Sequence, residues 1–236
     1  MGGTVEREFK MKKADALTIL ATLGVFGLAL PTAHAASVTV TFDDLSTAGS
    51  DFGLASVPSA YDGLNWSCSG LAGGSCQAVN VQAYPFQPNG YQTAAVSGPN
   101  VLSTASDSAN TLTISLTGGG HFSFNSVYMT PAWNDALNVT VVGLNGSTVV
   151  DTSKLVLTTA GVQTLETFDW NNVTSVTISP SGGTMHSGFF SAGAEELALD
   201  NLTYASTTPV PLPAAGWLLL AGLGGIGTLA RKRRTV

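Results

Sequence analysis

Two oxygen-bearing doublets stand out by position. Asp43-Asp44 closes the first segment in which apolar and polar residues alternate, and Asp200-Asn201 lies within the last. If the terminal strands of an antiparallel domain lie side by side, these oxygens converge. Hard oxygen donors of that kind suit Ca²⁺. Asp and Asn also end strands and start turns by bonding their own backbone. Asp43, Asp44, Asp200 and Asn201 therefore carry two readings, a calcium site or a set of turn caps. A second group is aromatic. Tyr61, Trp66, Tyr84, Phe86 and Tyr91 share one stretch with Asp62, Asn65 and Asn89. Rings beside amides and carboxylates are what stacking on a sugar requires, whereas rings that roof a core would be buried. Leu64-Asn65-Trp66-Ser67 alternates, which puts Leu64 and Trp66 on one face, the core face. Tyr84 is the strongest ligand candidate, because Pro85 and Pro88 keep its neighbourhood out of a sheet interior. Tyr61, Trp66 and Tyr91 complete the candidate set.

Cys68 and Cys76 are the two cysteines, eight residues apart around Gly70, Gly73 and Gly74. In an exported chain this spacing predicts one disulfide. A metal site would need more ligands than two thiols, and no histidine is near them in sequence. Signals for catalysis are poor. Beyond residue 35 the histidines are His121 and His186, and there is no Gly-x-Ser-x-Gly elbow, no His-Glu-x-x-His and no phosphate loop. Glu195 and Glu196 are adjacent, so on a strand they face opposite ways and cannot work as a glycosidase pair. The sequence predicts a protein that is not an enzyme. Charge narrows its partners further. Between residues 36 and 208, Lys154 stands alone against twelve acids, a net −11. Such a surface repels phosphate backbones, which excludes nucleic acid.

The elements that must position these residues are strands. Residues 37–42, 110–117, 121–130, 137–144, 147–151, 163–168, 173–179 and 197–204 are short runs of β-branched, apolar and aromatic residues with turn residues between them. Gly118-Gly119-Gly120 predicts a hairpin between the second and third of these. Asn145-Gly146 is the strongest two-residue hairpin signal in the chain. No segment holds a helical apolar period over three turns. The 236 residues, 44% of them hydrophobic, suit one all-β domain with targeting segments at its ends. We predict an antiparallel β-sandwich of jelly-roll type over residues 36–206. Residues 45–109 are irregular and rich in small residues, as functional loops or overlooked strands would be.

Lys12-Lys13, the uncharged run 16–30 and Ala33-His34-Ala35 read as a secretory signal over residues 1–35, with Met11 as the true start and cleavage after Ala35. At the other end, Pro209, Pro211 and Pro213 break a polar stalk. An uncharged run over 214–230 follows, and Arg231-Lys232-Arg233-Arg234 closes it. As a helix that run spans about 25 Å, short for a membrane core, with the basic cluster on the cytoplasmic side.

Residues 207–236 resemble the PEP-CTERM sorting signal of Gram-negative bacteria. The matching residues are Val210-Pro211-Leu212-Pro213-Ala214-Ala215-Gly216-Trp217, the apolar run after them, and Arg231, Lys232, Arg233 and Arg234. Leu212 stands where the name-giving motif has Glu. The resemblance implies handling by signal peptidase and an exosortase, passage through the inner membrane, and final residence at the cell surface or in extracellular matrix. It implies no activity. Residues 121–128, 139–143 and 199–202 resemble sandwich domains carried by such proteins, which are similar in outline to carbohydrate-binding modules. The expected function is therefore an exported surface protein whose sandwich binds polysaccharide. The alternative is a structural matrix protein without a ligand, and a secreted hydrolase ranks last.

Overall fold

The structure is a computed structural model that describes residues 36–70, 74–104, 111–190 and 194–206. The predicted signal segment and the predicted sorting tail, with Pro211, Leu212, Pro213, Arg231, Lys232, Arg233 and Arg234, lie outside the described residues. Among the described residues no helix is long and apolar enough to cross a membrane.

The chain folds into antiparallel sheets. Its strands are β1 Ser37–Val40, β2 Leu54–Ser56, β3 Ala60–Tyr61, β4 Leu64–Cys68, β5 Gln77–Asn80, β6 Asn100–Ser103, β7 Leu112–Leu116, β8 Phe122–Pro131, β9 Asn134–Asp135, β10 Leu137–Asn145, β11 Thr148–Leu157, β12 Thr164–Val173, β13 Ser175–Ser181, β14 Thr184–Met185 and β15 Leu197–Ser206. One helical turn, α1 Tyr91–Ala94, interrupts them. The first sheet runs β12-β8-β15-β6-β5-β2, with β1 also on β15, and the second runs β11-β10-β13-β7-β4-β3. β9 and β14 form a separate short ribbon.

Alternation explains why the sheets face each other. In β7, Leu112, Ile114 and Leu116 are buried while Thr113 and Ser115 are only half-buried. β13 repeats the pattern with Val176, Ile178 and Pro180. These side chains join Phe122, Phe124, Val127 and Met129 of β8 and Leu197, Leu199 and Leu202 of β15 in one core between the two sheets. Trp66 is 3% exposed in that core, as its alternation with Leu64 predicts. Cys68 and Cys76 form the predicted disulfide, with Cα atoms 5.0 Å apart. It ties the end of β4 in the second sheet to the entry of β5 in the first.

Two readings of the sequence need correction, the glycine hairpin and the length of β11, and one open alternative is decided. Gly118-Gly119-Gly120 is not a hairpin. β7 pairs with β4 and β13, whereas β8 pairs with β12 and β15. All three glycines have positive φ, and they carry the chain from one sheet to the other. Residues 45–109 do conceal strands: β2, β3, β4, β5 and β6 lie there. They are two to five residues long, and only β4 showed its alternation in the sequence, through Leu64 and Trp66. β11 extends to Leu157, past the predicted end at residue 151, because its full length pairs with β10. The Asn145-Gly146 hairpin forms as predicted, with Asn145 opposite Thr148.

Candidate functional site

The first sheet has a second covered face. Val79, Val81, Val101, Ala132, Trp133 and Ala198 point away from the main core and pack with Tyr91 and Ala94 of α1. The segment between β5 and β6 thus folds back over its own sheet. Tyr91 and Ala94, three apart, share one side of the single turn, so one helical turn is enough to bury both. Gly90 makes this possible. The backbone of Pro131 and Ala132 occupies the space where a Cβ would stand, and the Gly90 N–H donates to the Ala132 carbonyl at 2.7 Å. Asn89 and Gln92 brace the turn reciprocally, each backbone N–H donating to the other's side-chain oxygen at 3.2 Å.

From this buried base a chain of rings climbs to the surface. Trp133 meets Tyr91 at 6.1 Å, Tyr91 meets Tyr84 at 5.3 Å, and Tyr84 meets Phe86 at 5.5 Å, all between ring centroids. Phe86 then lies between two further rings. It stacks on Phe52 at 5.7 Å with only 17° between planes, and it touches Phe190 at 5.1 Å. Phe52 is 45% exposed and Phe190 46%. The Phe190 N–H donates to the Pro88 carbonyl at 2.9 Å, which fixes that ring beside Phe86. Exposed Gln87 and Gln92 border the rings, their side chains joined by a 2.8 Å hydrogen bond. We call this surface the aromatic ledge.

Glu196 anchors the base. Its Oε2 accepts from the Tyr91 hydroxyl at 2.8 Å and from the Trp133 indole N–H at 2.7 Å. Burial raises the Tyr91 phenol well above its ordinary value, and the Glu196 charge adds to the effect. Tyr84, half-buried, is pushed up to about 12 by burial and by the same carboxylate. Both phenols are therefore neutral donors at physiological pH. Nearby, His186 Nδ1 contacts both Asp135 oxygens, at 2.9 and 3.0 Å, and the His186 ring packs on Phe189 at 4.4 Å.

This arrangement corrects the predicted stacking set. Tyr61, Trp66 and Tyr91 are buried, so their faces are closed to a ligand. Trp66 donates its indole N–H to the Tyr61 carbonyl, and Tyr61 stacks on Phe42 inside the main core. Tyr84 is half-buried, as Phe86 is, and the two rings meet edge to face. The sequence reading missed Phe52 and Phe190. Phe52 follows Ser50-Asp51 in a turn, and Phe190 lies more than a hundred residues further on, so nothing in their spacing joins them.

The oxygen-bearing doublets are placed differently from a calcium site. The terminal strands do lie together, β1 on β15 with Val40 opposite Leu202. Each carboxylate nevertheless has a hydrogen-bonding partner of its own. Asp44 accepts from the Tyr61 hydroxyl. Asp43 accepts from the Asn100 N–H at 3.2 Å. Asp200 is fully buried and accepts the backbone N–H groups of Val96, Ser97 and Asn201 at 2.6, 2.9 and 2.7 Å. Asn201 accepts from the Ser97 hydroxyl at 2.7 Å. Burial raises the Asp200 pKa, its backbone hydrogen bonds oppose that, and Asp43 adds to the rise. Among the described residues no group of three or more His, Cys, Asp or Glu side chains is gathered as a metal site would need. Only the Asn201 N–H to Asp200 bond fits the turn-capping reading; the other bonds tie these residues to distant segments.

No family model matches the chain, and no curated protein matches it. Solved structures match it at low similarity. One is TmCBM61 in complex with beta-1,4-galactotriose, at 11% identity and a TM-score of 0.38, covering 60% of this chain and 88% of that one. Another is a DUF4465 family protein from Bacteroides caccae, at 12% identity and a TM-score of 0.43, covering 77% and 97%. A third is the family 32 CBM from C. perfringens NanJ in complex with galactose, at 14% identity and a TM-score of 0.34, covering 64% and 98%.

Proposed function

We propose that this protein is an exported, non-catalytic surface protein whose sandwich binds polysaccharide on the aromatic ledge. The observation that carries the reading is the contiguity of Phe52, Phe86 and Phe190, three rings in contact, two of them close to half exposed. Exposed aromatic faces bordered by amides suit the C–H faces and hydroxyls of a sugar. A contiguous exposed aromatic surface marks an interaction site more often than an accident of packing. The disulfide fits an oxidising compartment. Export, processing by signal peptidase and an exosortase, and residence at the cell surface or in extracellular matrix belong to the same proposal and rest on residues 1–35 and 207–236. A jelly-roll connection of the two sheets is part of it too.

The test is adsorption of the purified protein to a panel of polysaccharides, with Phe86→Ala as the probe. Loss of adsorption with retained folding supports the ledge. Adsorption that survives Phe86→Ala and Phe52→Ala together refutes it. The second reading, a structural matrix protein without a ligand, is favoured by the burial of Tyr61, Trp66 and Tyr91. It predicts no adsorption to any member of the panel.

A further inference from the structure

An unpaired edge strand presents a row of free N–H and C=O groups, and natural sheets guard their edges by shortening, bending or charging them. Among the described residues the other edges of this sandwich are guarded. β3 has two residues, β2 three and β1 four. β12 has ten, but its register against β8 shifts twice, beside the positive-φ residues Asp169 and Asn172. Such bulges bend a strand and interrupt its free edge. β11 differs. It closes the second sheet, it also has ten residues, and Asp151 to Leu157 run against β10 without a shift. Among the described residues β10 is its one sheet neighbour. Apart from Asp151, Ser153 and Lys154 its side chains are β-branched or apolar. Val149, Val150 and Val156 are 56%, 45% and 57% exposed.

We propose that β11 pairs antiparallel with β11 of a second copy of this chain, joining two six-stranded sheets into one. Charge selects the occupant. Between residues 36 and 208 Lys154 is the only cation against twelve acids. β11 holds that lysine together with Asp151, so the strand is neutral while the rest of the domain is strongly negative. A second copy is therefore repelled least along β11, whereas a basic partner would be drawn to the acidic remainder. Symmetry then selects the register. Residues opposite each other must point to the same face, so a two-fold axis normal to the sheet pairs positions an even number apart. Centring the axis on Lys154 or on Asp151 sets like charges opposite each other, which is unfavourable. Centring it on Thr152 sets Lys154 against Val150, where the register of β11 shifts. Centring it on Ser153 avoids both faults. Thr152, which is exposed, then faces the exposed Lys154 of the second copy, and Asp151 faces its Leu155.

The experiment is sedimentation equilibrium of the whole purified protein at low and moderate salt. A dimer is expected, and salt should tighten it by screening the acids outside β11. Thr152→Lys sets lysines face to face at two symmetry-related places and should weaken the dimer about tenfold. Thr152→Glu sets a carboxylate opposite Lys154 and should tighten it by a similar factor. Net charge alone predicts the reverse order, because Thr152→Lys makes the domain less negative and Thr152→Glu more so. Ser153→Cys reads the register directly. Opposite residues of an antiparallel pair have Cα atoms about 4.5–5.5 Å apart, within disulfide reach, so oxidation should give a covalent dimer. Thr152→Cys, which faces Lys154 instead of itself, should cross-link far less. Phe86→Ala should dimerise as the unaltered protein does, which keeps this edge separate from the ledge. A monomer at every concentration overturns the proposal, as does the reverse order of the two charged Thr152 variants. Equal cross-linking at Thr152→Cys and Ser153→Cys overturns it, and so does a dimer lost in Phe86→Ala.

Discussion

At the scale of single residues, Asp200 shows how a carboxylate can be structural and still be costly. It is buried and serves three backbone donors from Val96, Ser97 and Asn201. Asp200→Ala leaves those donors without their acceptor, and we expect a loss of about 3 kcal/mol in a denaturant titration. Its pH dependence has a definite sign. The folded pKa is raised, so the folded state holds the proton more tightly than the unfolded chain. The Asp200 contribution should therefore grow as pH falls through the raised value and level off below the ordinary carboxylate value. Comparing the protein with Asp200→Asn across that interval should show the stability gap widen toward acid. Asp135 runs the other way. Burial raises its pKa, but the Ala160 N–H and His186 together outweigh that and leave it lowered, so its contribution is lost as pH falls through that lowered value. About a third of its side chain is exposed, which keeps the effect small. For the rings, Trp66→Ala should cost roughly 3–5 kcal/mol as a core cavity. Phe52→Ala, in a half-exposed ring, should cost about 0.5 kcal/mol and show itself in ligand adsorption instead. Equal stability losses at the two positions would contradict the assignment of core and ledge.

Elements carry the next level of information. The disulfide joins β4 in one sheet to the entry of β5 in the other, so its reduction acts on how the two sheets are tied together. With the cysteines eight positions apart, the expected loss is roughly 2–3 kcal/mol. Unfolding with and without reductant measures it, and coincident midpoints would argue against the tie. Much of the element structure was legible in the sequence. β7, β8, β10, β13 and β15 are each long enough for alternation to show, and each lies where alternation places it. Pairing was less legible. Alternation reports which residues are buried and says nothing about which sheet buries them, so Gly118-Gly119-Gly120 read as a hairpin although it links two sheets. The ledge was illegible for a related reason. Phe86 was noticed as a member of an aromatic run, but Phe52 and Phe190 reach it only through the folding of the segment between β5 and β6 and of the residues after β14.

For the whole molecule, charge and ends set the behaviour. Twelve acids against one lysine between residues 36 and 208 make the domain repel itself. Moderate salt should raise its melting temperature by screening that repulsion. A fall in melting temperature would mean that local ion pairs outweigh the net charge. The ends define the processing proposal. Intact mass of the exported protein should lack residues 1–35 and the cluster Arg231, Lys232, Arg233 and Arg234. Finding that cluster on secreted material would overturn it. Where the chain enters and leaves the sandwich has a mechanical consequence. β1 and β15 are antiparallel neighbours, with Ser37 opposite Ala205, so the two ends depart side by side. Pulled apart by those ends, the domain peels one ladder bond at a time. Held by the β15 end alone, with the opposing pull applied by a bound polymer, it resists differently. Force then runs along β15, whose bonds to β8, β6 and β1 are loaded together in shear. The same fold is a weak clasp in the first case and a strong rivet in the second.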